Sequence, residues 1–235
     1  GEYDDYIKPW SPGWAPIQAL KDSNDNAICF SDGKHNYVPP FDGIEEWQFP
    51  EPVGKLLVSH HSHEEPYSVP SSIGKGIKYC DFKYFLHSQP AALVALGLAS
   101  DKEVDVKGIK VKPIDLVAAI LPKPGNAFID EDPSKFAYND AHNFVAMDVE
   151  VKGKKNDKEK SYLIHLSNMN VPGKPIHDLF GTSLVNVALP AVTGAKQILE
   201  GEYKGVIFAE QLNPQRFIDL MMETGYPYKW DVETK

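Results

Sequence analysis

Three histidines in four positions, His60, His61 and His63, stand directly before Glu64 and Glu65 in the stretch LLVSHHSHEEPYSVP, residues 56–70. An imidazole titrates at about pH 6.5, and beside a carboxylate it is suited to taking or giving a proton. The same residue types bind zinc or iron(II) when they converge. Residues 53–61, VGKLLVSHH, read as a strand. Alternation then puts His61 and His63 on one face, continued by Glu65, with His60 and Ser62 on the other. Three readings stand: proton transfer or substrate binding in a cleft, a metal pair at His61 and His63, or a polar strand end with satisfied imidazoles. The segment Tyr67-Ser68-Val69-Pro70 reads as extended chain.

Three further stretches carry candidate chemistry. WSPGW, residues 10–14, places Trp10 and Ser11 at a helix start, where free N–H groups can hold a carboxylate or simply be capped. FGTS, residues 180–183, does the same with Thr182 or Ser183 ahead of a long helix. FAEQLNPQRF carries Glu210 and Arg216, and of 24 basic residues Arg216 alone is arginine. Bidentate clamping of a carboxylate by guanidinium is thus limited to one position. GKGIK at 74–78 is weak evidence for phosphate binding.

Positioning these groups requires a framework, and the pattern supplies one. Ser11-Pro12 starts a helix over 12–22; NAICFSDGKHNYVP is a strand, an Asp32-Gly33 turn and a second strand. IKYCDFKYFL is read as one strand, and SQPAALVALGLAS and PIDLVAAIL as helices. Strands over about 142–151 and 160–168 flank the lysine-rich KGKKNDKEK, read as a solvated loop tip. A helix over 182–200 ends at Gly201, KGVIFAE is a strand, and NPQRFIDLMMETG is a helix between Asn213 and Gly225. Strand clusters alternating with helices around an antiparallel hairpin argue an α+β fold on a mixed, largely antiparallel sheet, in one domain over 1–235.

Composition narrows the function. The net charge of −9 disfavours nucleic acid, and no apolar run reaches the roughly 20 residues that span a bilayer. The acidic opening GEYDDY is unlike a signal peptide, so a cytoplasmic protein is expected, with Cys29 and Cys80 reduced. G-x-G-x-x-G, G-x-x-x-x-G-K-[ST], G-x-S-x-G, H-E-x-x-H and EF-hand patterns are all absent.

The order of WSP, VPPFDGIEEWQFPEPVG, HEEPYSVPSSIGKGIKYCDFKY, a long hairpin, GTSLVNVALPAVTGAKQIL and GVIFAEQLNPQRFIDLMMETG resembles the C-terminal, substrate-side domain of the saccharopine dehydrogenase-like family, from about Tyr6 to Tyr226. That family includes saccharopine reductases, lysine dehydrogenases and carboxynorspermidine synthases. The resemblance implies a sheet covered by helices on one face, as in the C-terminal domain of glyceraldehyde-3-phosphate dehydrogenase, and a homodimer. It implies oxidation of an amine or reduction of an imine with NAD or NADP, held on a Rossmann domain that this chain does not contain. An excised half of a longer oxidoreductase is therefore expected; the alternative is a non-catalytic dimerisation and amino-acid-binding module. The resemblance lifts proton transfer above metal binding, so no metal is expected. His63 or Glu64 is cast as the proton-transfer group, and Trp10, Ser11, Glu65, Tyr67, Thr182 and Arg216 as substrate contacts.

Overall fold

The computed structural model describes residues 10, 12, 15–51, 53–121, 146–166, 185–201, 203–224 and 230–234. Its elements, in order, begin with α1 (Pro16–Asn24), β1 (Ala27–Ser31), β2 (Lys34–Val38), β3 (Glu45–Gln48), β4 (Lys55–His60), α2 (Glu65–Ile73), β5 (Tyr79–Cys80) and β6 (Lys83–Phe85). They continue with α3 (Ser88–Ala95), β7 (Val104–Val106), β8 (Ile109–Val111), α4 (Pro113–Ile120), β9 (Asp148–Lys155), β10 (Lys158–Leu166), α5 (Val185–Glu200), a 3-10 turn (Ala209–Gln211), α6 (Pro214–Glu223) and β11 (Trp230–Thr234). The α+β class holds. Every strand pair whose register is described is antiparallel, and the strands are divided among small sheets: β2-β1-β5, β3-β4-β6, β7-β8 and β11-β10-β9.

The chain forms two compact units, residues 1–46 with 57–137, and residues 47–56 with 138–235. In the first, Leu20 of α1, Ala99, and Ile114 and Val117 of α4 form a buried cluster, packed by Trp10, Leu93, Val94, Leu98, Ala118 and Leu121. Leu20, Ile114 and Val117 each contribute roughly 1.5–3 kcal/mol by being removed from water. The β1–β2 turn is the expected one: Asp32 (φ 51°) and Gly33 (φ 78°) both take the left-handed conformation a type I′ turn demands. Lys107 (φ 55°) and Gly108 (φ 84°) close β7–β8 the same way, a hairpin that VDVKGIKV signals and the sequence reading above omits. Phe30 pairs with Cys80, so Cys29 faces the other side of the sheet, and neither cysteine is in a disulfide.

In the second unit, Asn156 (φ 53°) and Asp157 (φ 60°) make a two-residue turn between β9 and β10. The lysine-rich segment is therefore strand to its tip, because the tight turn lets the ladder run through it. β11 adds a third strand on β10, also unforeseen. Helices α5 and α6 pack together over buried Thr193, Leu220 and Met221, and the Gln197 amide donates to the Asn213 carbonyl at 2.8 Å. Asn213 caps α6 as expected, its Oδ1 accepting from the Arg216 N–H at 3.1 Å. KGVIFAE is not a strand: Gly205 has φ +77°, Val206 is fully exposed, and the Phe208 N–H bonds the Gln211 side chain of the 3-10 turn. Among the described residues, no strand pairs with its apolar run. Ser11, Thr182 and Gly225 lie outside the described residues. Helix α1 begins at Pro16, four positions after the proline expected to start it. No described helix is long and apolar enough to cross a membrane.

Candidate functional site

Strand β4 delivers the histidines. It pairs with β6 through Val58–Phe85, Ser59–Tyr84 and His60–Lys83, and the His61 N–H donates to the Phe82 carbonyl at 3.3 Å, extending the pairing by one residue. Residues facing each other across a ladder share a side of the sheet. His60 therefore lies with Lys83 on one side, and His61 with Phe82 and Tyr84 on the other.

The His60 side is structural. The imidazole Nε2–H donates to Asp81 Oδ2 at 3.1 Å, and Asp81 lies 4.0 Å from Lys83 Nζ, which bonds Glu45 at 2.7 Å. Gly43 packs so closely that a Cβ there would sit 2.5 Å from His60 Cε1. The segment expected as one strand from Ile77 to Leu86 breaks at Asp81 and Phe82, pairing with β1 before the break and β4 after it. Asp81 at that break holds His60, and its Phe82 neighbour turns toward the opposite side.

On that opposite side the His61 and His63 rings lie 6.1 Å apart. The His63 ring stacks on Phe82 at 4.0 Å with an interplanar angle of 13°, and His61 meets Tyr84 at 5.3 Å and 53°. His63 Nδ1–H donates to Glu65 Oε2 at 2.6 Å, with Glu64 Oε2 4.0 Å away. Glu65 reaches back because it opens a helix instead of prolonging the strand. Pro66 sits in the first turn of α2, where a missing N–H costs nothing, and the Glu64 carbonyl accepts from Tyr67 and Ser68. Tyr67 to Pro70 are thus helical, correcting the extended reading; the Ser71 and Ser72 hydroxyls donate to the Ser68 carbonyl in the turn that Pro70 interrupts.

The electrostatics divide the two imidazoles. The hydrogen bond to Glu65 raises the pKa of His63 against the opposing effect of burial, helped by the charges of Glu65 and Glu64. Burial lowers His61, and the neighbouring His63 lowers it further. Burial pushes Glu65 up, yet the His63 hydrogen bond leaves it below its ordinary value. Two like groups pushed apart in this way are suited to different roles, His63 favouring its protonated form and His61 its neutral form. With Nδ1 committed to Glu65, Nε2 of His63 has no partner among the described residues and is the atom open to a reactant.

His63 Nδ1, Glu64 and Glu65 also present donor atoms all within 4.8 Å of one another, a set that suits a divalent cation. That set differs from the His61–His63 pair read from the strand pattern.

The other candidates are placed as follows. Trp10 packs on the Leu20 cluster and meets His87 edge-on at 6.5 Å; burial lowers the pKa of His87. Tyr67 is exposed and belongs to a separate group: its ring stacks on His35 at 4.8 Å, and its carbonyl accepts from His35 Nε2 at 3.2 Å. In the second unit, Arg216 is bound by Glu200 through two bonds of 2.7 and 2.8 Å and by Glu223 at 2.9 Å, so an incoming carboxylate would have to displace one of them. The structure thus brings together His63, Glu64 and Glu65. The sequence reading missed Phe82 and Tyr84, whose two-residue spacing in CDFKYF was the available signal. It also missed Asp148 in the second unit, almost fully buried, which accepts from Trp47 Nε1 at 2.8 Å and His165 Nδ1 at 2.7 Å; nothing local links residues 101 positions apart.

Known proteins align over the same span. The family model of the saccharopine dehydrogenase C-terminal domain matches residues 6–226. The carboxynorspermidine synthase of Vibrio cholerae is 27% identical over 241 aligned positions, covering 97% of this chain and 53% of that protein. The carboxynorspermidine synthase of Vibrio alginolyticus is 24% identical over 97% of this chain and 53% of its own length. The carboxyaminopropylagmatine dehydrogenase of Synechocystis is 24% identical over 58% of this chain and 32% of its own. The chain therefore spans about half the length of the Vibrio relatives it matches.

Proposed function

Because the chain belongs to the saccharopine dehydrogenase C-terminal domain family, an oxidoreductase family, we propose that it is the substrate-side part of an enzyme acting on the C–N bond of an amino-acid-derived amine or imine. The observation that carries this reading is the His63–Glu65 pair, with Nδ1 bound at 2.6 Å and Nε2 without a partner among the described residues. An amine cannot become an imine without losing its N–H proton, and an imine under reduction must gain one. Nε2 of His63 takes or gives that proton, while Glu65 fixes the tautomer and steadies the imidazolium. Glu64 stands 4.0 Å from Nδ1 and contributes negative charge, not the transfer itself.

The described residues do not fit a dinucleotide: the pairings are antiparallel, and no Gly-rich turn joins a parallel strand to a helix. NAD or NADP is therefore expected on a further part of the natural protein, in keeping with the half-length coverage of the Vibrio relatives. The names of the relatives favour a substrate of the carboxyalkyl-polyamine kind over saccharopine or lysine. The test is NADH or NADPH consumption by the full natural protein, with a carboxylate-bearing amino-acid aldehyde and an alkyl diamine as one pair, and 2-oxoglutarate and lysine as the other. Turnover with the first pair supports the reading, and turnover with the second alone returns the substrate to lysine chemistry. No turnover with either, by a protein that binds the cofactor, contradicts the reading.

A further inference from the structure

A hydrogen bond fixes one axis of an imidazole but leaves its plane free to turn. For His63 the axis is set by Glu65, at the first turn of α2, and the plane must be set by something else. Phe82 lies parallel to the ring, 4.0 Å away and 13° off plane. The neighbouring pair in the same face, His61 with Tyr84, is tilted by 53°, so parallel stacking is not a general consequence of this sheet side. Phe82 is itself anchored: its carbonyl accepts the His61 N–H at the end of the β4–β6 pair. One residue therefore pins the backbone just before His63 and also covers its ring.

We propose that Phe82 is the positioning residue of His63, its ring fixing the imidazole plane so that Nε2 meets the reacting nitrogen at a constant angle. The proposal rests on the assignment of His63 as the proton-transfer group. Loss of the ring also removes a π face from the imidazolium, an interaction worth roughly a half to one kcal/mol at a partly exposed site, or about half a pH unit of titration.

The experiment compares Phe82→Leu with Phe82→Trp. NMR titration of the His63 ring in this chain is expected to shift down by about half a unit in the leucine variant and to return with tryptophan. In the full natural protein, Phe82→Leu is expected to lower kcat roughly 10- to 100-fold with little change in KM, and tryptophan to restore most of it. Amide spectra establish that each variant is folded; where leucine fails, Phe82→Met takes its place. Unchanged His63 titration and unchanged kcat in a folded leucine or methionine variant overturn the proposal. So does a tryptophan variant that behaves as leucine does. A titration shift alongside normal turnover of His63→Gln leaves the positioning in place and removes the proton-transfer assignment instead.

Discussion

His63 and Glu65 are joined by a hydrogen bond between partners that are 38% and 46% exposed, so their coupling is screened and worth about 0.2–1 kcal/mol. Its pH window follows from the two shifts. The raised pKa of His63 gives stability that is complete below 6.5 and is lost as pH rises through the folded value. The lowered pKa of Glu65 gives stability present above 4.5 and lost as pH falls through the folded value. Glu65→Gln should therefore destabilise most at about pH 5.5, and the gap from wild type should narrow at alkaline pH, above the folded value of His63. Urea unfolding in both pH ranges measures it, and an equal gap in both would mean the pair is not ionised as described. The residues of this site were legible as types and spacing, since His61 and His63 do share a face. Their partners were not, because Glu65 reaches His63 by starting a helix and Phe82 arrives from a strand break about 20 residues on.

At the scale of elements, close packing decides what the strand can present. Gly43 has φ +64°, and its missing Cβ is the space that the His60 ring fills while held by Asp81. Gly43→Ala is expected to cost about 1–3 kcal/mol, through backbone strain and displacement of His60 from Asp81. A lower urea midpoint with an unchanged slope is the expected result, and a wild-type midpoint would show that His60 can swing clear. Turn chemistry was the most readable feature here: Asp32-Gly33 told its hairpin directly. The failures share one cause. Apolar runs such as KGVIFAE and IKYCDFKYFL have strand composition, but pairing depends on which neighbour is available, and that is set by distant chain. Asp148, joined to Trp47 and His165, is the same lesson in a buried polar network.

At the scale of the molecule, family membership is consistent with the proposed proton-transfer pair and with the lack, among the described residues, of a Gly-rich strand-to-helix turn for a nucleotide. The Vibrio relatives are about twice as long as this chain, and the computed mass here is 26.2 kDa. The native protein is expected to have an intact mass well above that value, including a nucleotide-binding part. A native mass equal to that of this chain would favour a dimerisation and amino-acid-binding module instead. The most direct test of the central claim is the pH–rate profile of His63→Gln in the full natural protein. The account predicts a loss of kcat/KM on the order of 10²- to 10⁴-fold, with one limb of the profile abolished. Turnover equal to wild type across the whole pH range would contradict it.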